Sequence, residues 1–237
     1  MEKTSAQSFS GFVLDPLREF FEYQKEQGRV FLPTTSKSIL NRRIREEVEP
    51  PFGSYDTLPE LERDIARCQR CRLFQKRRNT VPGQGPSPCR LMLIGEGPGG
   101  EEDEQGHPFV GPAGQLLTRM LLAIELKREE VYVTNVVKCR PPENRVPRED
   151  EIEACRVFLD AEIELVTPKL LLTLGNCSTQ SLLRSQGRIS ELRGQIREAY
   201  GRPLIAMYHP AYLLRNPGAK REAWEDLKKV KKEYDRL

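Results

Sequence analysis

The chain has no apolar run near the length of a membrane span, and its amino terminus lacks the basic-then-apolar pattern of a secretory leader. A membrane or exported protein is therefore disfavoured, and a cytoplasmic location is the expectation. Net charge is scarce as well. The 38 Lys and Arg stand against 35 Asp and Glu, a balance of +3, so affinity for nucleic acid has to come from local clusters rather than from a basic protein as a whole. Clusters are present: Arg67, Arg70, Arg72, Lys76, Arg77 and Arg78 crowd one short segment, and Arg215, Lys220 and Arg221 another. Each is also what an ordinary solvated face looks like. Histidine is rarer still, with His107 and His209 the only two.

Cysteine is the exception to this scarcity, and a reducing compartment argues against reading the six thiols as disulfides. Four form a pattern: Cys68-x-x-Cys71, then Cys139 after a long gap, then Cys155. A CxxC turn brings two thiolates to one metal centre, and folding must supply the distant pair. Counting alone suits zinc and an iron–sulfur cluster equally. Cys89 and Cys177 lack such partners and read as small buried hydrophobes.

Four strands are expected, over Arg90 to Ile94, Val131 to Val137, Leu170 to Leu174, and Leu204 to Tyr208. Helical stretches alternate with them, among them Glu149 to Val166, the continuation from Thr118 to Leu126, and an amphipathic cover from Arg221 with Trp224, Leu227, Val230 and Tyr234 on one stripe. The alternation predicts an α/β fold, three layers α/β/α around a mainly parallel four-stranded sheet. Thr57 and Pro59 signal a helix start. Residues 1–57 differ in character and read as an appended helical arm with flexible connectors, which could dock on the core, recruit a partner protein or stay partly disordered; residues 58–237 read as the main domain.

The most informative stretch runs from Leu91 to Leu117. A short apolar run meets the glycine-rich turn Gly95 to Gly100, then an acidic run, then Pro108-Phe109-Val110-Gly111, before a helix opens. Loops at the carboxyl ends of strands in open α/β sheets are where ligands bind. Gly95-Glu96-Gly97-Pro98-Gly99 and Gly106-His107-Pro108-Phe109-Val110-Gly111-Pro112-Ala113-Gly114-Gln115-Leu116-Leu117 resemble the first signature of the family 4 uracil-DNA glycosylases. Three later segments agree in order: Val133 to Arg145, Leu172 to Asn176, and Tyr208 to Pro217. The resemblance covers roughly residues 60 to 237.

It implies a uracil-DNA glycosylase-like domain that flips uracil out of single- or double-stranded DNA and hydrolyses its N-glycosidic bond. It also breaks the tie between metals, implying a [4Fe–4S] cluster on Cys68, Cys71, Cys139 and Cys155, and it implies a monomer. In the family's pattern Gly97, Pro98, Phe109 and Asn135 form the base pocket. Phe109 supplies a stacking face, and Asn135 the donor and acceptor that separate uracil from cytosine. His209, beside Pro210, is expected to act as a neutral donor to the departing base. Glu96 is expected against the pocket, Glu102 as a second carboxylate that also crowds the thymine methyl, and Asn144 as the group orienting water. Gly97 stands where the family 1 enzymes have aspartate, so that group is missing here. No histidine lies between Lys138 and Arg148, which implies turnover rather than covalent capture of the sugar. Asn176 and Ser178, with the Pro-rich loop Val81 to Pro88, are expected to grip phosphates. Leu213 or Leu214 would wedge into the stack with Arg215 on phosphate. The alternatives are a non-catalytic iron–sulfur DNA-binding module of a repair or replication assembly, and a redox carrier.

Overall fold

The computed structural model describes residues 55–237; the expected amino-terminal arm falls, apart from its last three residues, outside the described residues. Helix α1 (Leu58–Arg67) carries Pro in its first turn, where the missing N–H has no helical partner to lose. Strand β1 (Leu91–Gly95) is buried along its whole length, as a continuous apolar run in a parallel sheet requires. The acidic stretch after it does not remain a loop. Gly100–Gln105 forms helix α2, with acidic side chains in the first turn and Gly106 at φ 75° closing it, an arrangement favoured by the helix dipole and a left-handed C-cap.

Helix α3 (Pro112–Leu122) leads to strand β2 (Tyr132–Asn135), helix α4 (Glu149–Val166) and strand β3 (Leu170–Leu174). Then come α5 (Asn176–Leu183), the short α6 (Ile189–Leu192), strands β4 (Ile196–Ala199) and β5 (Arg202–Met207), and helices α7 (Pro210–Arg215) and α8 (Lys220–Arg236). Among the described residues the sheet has five strands, in the order β2-β1-β3-β5-β4. Four are parallel, and β4 adds an antiparallel edge beside β5. That edge strand is the departure from the four-strand expectation. Its residues Ile196, Arg197 and Glu198 are exposed, so no apolar alternation marks it. A two-residue hairpin turn makes it, with Tyr200 at φ 54° and Gly201 at φ 65°, the paired positive φ that suits the twist of a hairpin.

Alternate strand residues build one core on each face. Met92, Ile94 and Leu171 pack with Leu61 and Ile65 of α1 and Phe158 and Leu159 of α4. Leu91, Leu93 and Leu172 pack with Leu117 and Leu121 of α3 and Leu227 and Val230 of α8. Trp224, expected on the buried stripe of α8, is 40% exposed. Cys89 and Cys177 are buried thiols. Among the described residues no helix is long and apolar enough to cross a membrane.

Candidate active site

Strand register sets the site. Gly95 lies opposite Asn135, and beyond them the Val136 and Val137 N–H groups donate to the Gly95 and Glu96 carbonyls at 3.0 and 3.2 Å. The turn after β1 and the end of β2 are thereby locked side by side, with His209 arriving from the carboxyl end of β5. A cavity of about 390 Å³ opens there, lined by Glu96, Phe109, Asn135, Asn144, His209 and Tyr212 among others. Gly97, Pro98, Glu102 and Arg215 line it too.

Asn135 is 1% exposed, and its Oδ1 has no hydrogen-bond partner among the described residues. A buried amide oxygen left alone costs about 1–3 kcal/mol, so in a cavity wall it marks the place of a ligand donor. Gly95 must be glycine: a Cβ there would collide with Asn135 Oδ1 and the Phe109 ring. Phe109 itself sits at φ 56°, a conformation that strains a bulky residue. Its neighbours hold it there. The Arg128 guanidinium donates to the Pro108 carbonyl at 3.1 Å, and Gly114 leaves room for the Phe109 carbonyl that a side chain would strike.

Glu102 completes that hold. Its Oε2 accepts the Gly99 N–H at 3.1 Å, while Oε1 accepts the Val110 and Gly111 N–H groups at 3.0 and 2.8 Å. One carboxylate thus ties the turn after β1 to the segment that carries Phe109.

His209 caps α7. Its Nδ1 accepts the Ala211 N–H at 3.1 Å, which puts the proton of a neutral ring on Nε2. Burial, aided by the Arg215 cation, pushes the imidazole down to about 4, so it is neutral at physiological pH. Its ring lies 5.7 Å from the Phe109 ring, tilted by 31°. Glu96 is shifted the other way: burial raises its carboxyl above the ordinary value. Asn144, at φ 55° in a short turn, accepts from Arg140 Nε at 2.8 Å. His107 pairs with Gln84 at 2.9 Å and does not line the cavity.

The expected DNA contacts divide. Leu213 packs into the core at 1% exposure, whereas Leu214 is 41% exposed; on a helix, adjacent residues point apart, so only Leu214 can act as a wedge. Ser178 is buried with its hydroxyl donating to the Leu174 carbonyl at 2.9 Å, which removes its side chain from any phosphate. Asn176 is exposed, and its Oδ1 accepts the Ile189 N–H at 2.7 Å. Sequence reasoning missed Arg128, Tyr212 and Val146. Tyr212 lies inside a quoted motif, but its direction depends on the phase of α7; an arginine that holds a loop carbonyl leaves no pattern.

Cys68, Cys71, Cys139 and Cys155 line one small cavity with Arg77 and Lys138. Arg77 donates to Cys139 Sγ at 3.2 Å, and the Lys138 N–H donates to Cys155 Sγ at 3.3 Å. Burial pushes the Cys155 thiol up to about 12. Among the described residues no group of three or more His, Cys, Asp or Glu side chains converges as a single metal ion needs.

Residues 82–228 match the uracil DNA glycosylase superfamily model. The chain belongs to that superfamily. Relatives give the branch. This glycosylase is 44% identical over 185 residues to the type-4 uracil-DNA glycosylase of Saccharolobus solfataricus, covering 74% of this chain and 86% of that one. It is 42% identical over 185 residues to the type-4 enzyme of Sulfurisphaera tokodaii, covering 74% and 84%. Against that of Thermotoga maritima it is 42% identical over 171 residues, covering 70% and 89%. It is thus a type-4 member and an enzyme of the glycosylase class.

Proposed function

We propose that this glycosylase repairs uracil-containing DNA by drawing the flipped uracil into the Phe109 cavity and hydrolysing its N-glycosidic bond, leaving free uracil and an abasic site. The observation that carries the reading is the buried, unpartnered Oδ1 of Asn135 in a cavity walled by an aromatic ring and a neutral histidine. Unstacking a base costs roughly a few kcal/mol, and stacking on Phe109 returns about 1–3 kcal/mol of it. Asn135 Oδ1 accepts uracil N3–H while its NH₂ donates to O4. Cytosine offers an acceptor and a donor at those positions, the reverse pattern, and would leave a buried amide unpaired.

Breaking the bond leaves negative charge on the uracil and positive charge on the sugar. The Nε2–H of His209 stabilises the first at O2, already oriented before charge develops. Glu96, deprotonated, faces the second. Asn144 keeps a lone pair and its NH₂ group for the attacking water. Glu102 acts at one remove, through the backbone of the Gly99 turn and the Phe109 segment. Leu214 fills the vacated stack, with Arg215 and Asn176 at the flanking phosphates.

The four cysteines are the residues that would hold a [4Fe–4S] cluster: they share one cavity with N–H donors aimed at two sulfurs, and the type-4 relatives favour the cluster over a single zinc ion. When bound, the cluster supplies a structural tie among distant chain segments, since uracil release needs no electron transfer. Steady-state release from a uracil oligonucleotide tests the proposed donor. His209→Ala is expected to lower kcat by about 10²–10³-fold with little change in KM; an unchanged kcat would overturn this role.

A further inference from the structure

A buried ion pair stands directly behind Asn135. Lys138 Nζ donates to Glu162 Oε2 at 2.6 Å, to Thr134 Oγ1 at 2.7 Å and to the main-chain carbonyl of Asn135 at 2.7 Å. Both charged side chains are 1% exposed. Glu162 in turn accepts the Gly83 N–H on Oε1 at 2.8 Å and the Thr134 hydroxyl on Oε2 at 2.6 Å. The ammonium has three hydrogens and three acceptors, so the network is closed.

A closed buried pair is weak evidence for stability, because apolar side chains of similar volume serve as well or better. What it fixes is geometry. Two groups of functional interest hang on it. One is Asn135, whose peptide is held by Lys138 through its carbonyl and whose next residue donates to the Gly95 carbonyl. The other is the cysteine cradle: Lys138 precedes Cys139, its own N–H donates to Cys155 Sγ, and Glu162 shares helix α4 with Cys155.

We propose that Lys138 and Glu162 are positioning residues for base recognition: they fix the Asn135 peptide so that its amide meets the uracil edge, and they join that peptide to the cysteine cradle. The inference rests on Asn135 as the reader of the base. It gives the cradle a part in catalysis through placement of the base pocket, and it explains why a costly charge pair is retained beneath a strand end.

The test replaces the pair without orphaning a charge. The double variant Lys138→Met with Glu162→Leu is compared with wild type in uracil release, in inhibition by free uracil, and in thermal melting. Misplacing a binding group by a fraction of its contact distance costs on the order of 10–100-fold. The expected result is a fall in kcat/KM of about that size with a matching rise in the free-uracil inhibition constant, while affinity for undamaged DNA stays at the wild-type value. A merely structural pair would shift the melting temperature and leave kcat/KM per folded molecule and the inhibition constant unmoved, which overturns the proposal. Lys138→Gln with Glu162→Gln is a neutral polar pair of similar length that also orphans no charge, and it reads the same two constants if the first double variant does not fold. Should wild type release no uracil, the functional reading fails and this inference falls with it. Wild-type release with unmoved constants in the variants overturns the inference alone.

Discussion

At His209 one backbone contact decides the protonation chemistry. The Ala211 N–H occupies Nδ1, and burial holds the ring near 4 rather than 6.5. The signs at the two pocket groups then predict the pH profile. A base whose folded value is depressed stays neutral until the pH falls through the depressed value, so His209 does not limit activity between pH 8 and about 5. Glu96 is raised above its ordinary 4.5, so it gains its proton first as the pH falls, and the anion proposed to face the sugar is lost. Single-turnover release should therefore show an acid limb above pH 4.5 in wild type. Glu96→Gln should lower the plateau and move the limb down toward 4. A limb at 6.5 that ignores Glu96→Gln would contradict both assignments. Phe109, Asn135 and His209 were legible in the sequence as cavity residues because each sits in a motif, Asn135 and His209 at strand ends and Phe109 in the segment between α2 and α3. The contacts of Glu102 were not legible, since its partners are backbone N–H groups and no sequence pattern names those.

At the scale of elements, helix phase decides what the HPAYLLR segment can do. Leu213 faces the core and Leu214 the solvent. Leu213→Ala should destabilise by about 2–5 kcal/mol, a fall in melting temperature of roughly 5–15 °C for a domain of this size. Leu214→Ala should leave melting unchanged and slow release from double-stranded DNA more than from single-stranded DNA, where no stack has to be filled. Equal slowing on both substrates would remove the wedge. Glu102→Ala strips the acceptor from three backbone N–H groups, each worth about 1–3 kcal/mol if left buried and unpaired. It is expected to raise KM and lower the melting temperature together; a change in kcat alone would instead make Glu102 a reacting group. Helix α2 was hidden by its composition, because four carboxylates in a row and two flanking glycines read as loop until the Glu102 capping contact is seen. Strand β4 was hidden because its side chains face water and the hairpin turn is Tyr-Gly rather than Asn-Gly.

For the whole molecule, parallel strands gather the chemistry at one edge of the sheet. Glu96, Asn135 and His209 come from the carboxyl ends of β1, β2 and β5, though far apart in sequence. That much followed from strands alternating with helices. The cysteine cradle was legible as a pattern of four thiols, whereas its link to Asn135 through Lys138 was not, since a lysine inside a motif says nothing about burial. Cys155→Ser should remove iron from the purified protein and lower its melting temperature, measured by metal analysis and calorimetry; full iron content in this variant would exclude Cys155 as a ligand.

The central claim is that the Asn135 cavity takes a uracil base and frees it. The measurement is mass-spectrometric identification of the products after wild-type protein meets an oligonucleotide with one uracil, beside a thymine control. Free uracil with an equal amount of abasic strand, from the uracil substrate only and with no protein–DNA adduct, is the predicted result. Tight binding of the intact uracil strand with no base released would contradict it and leave a DNA-binding module.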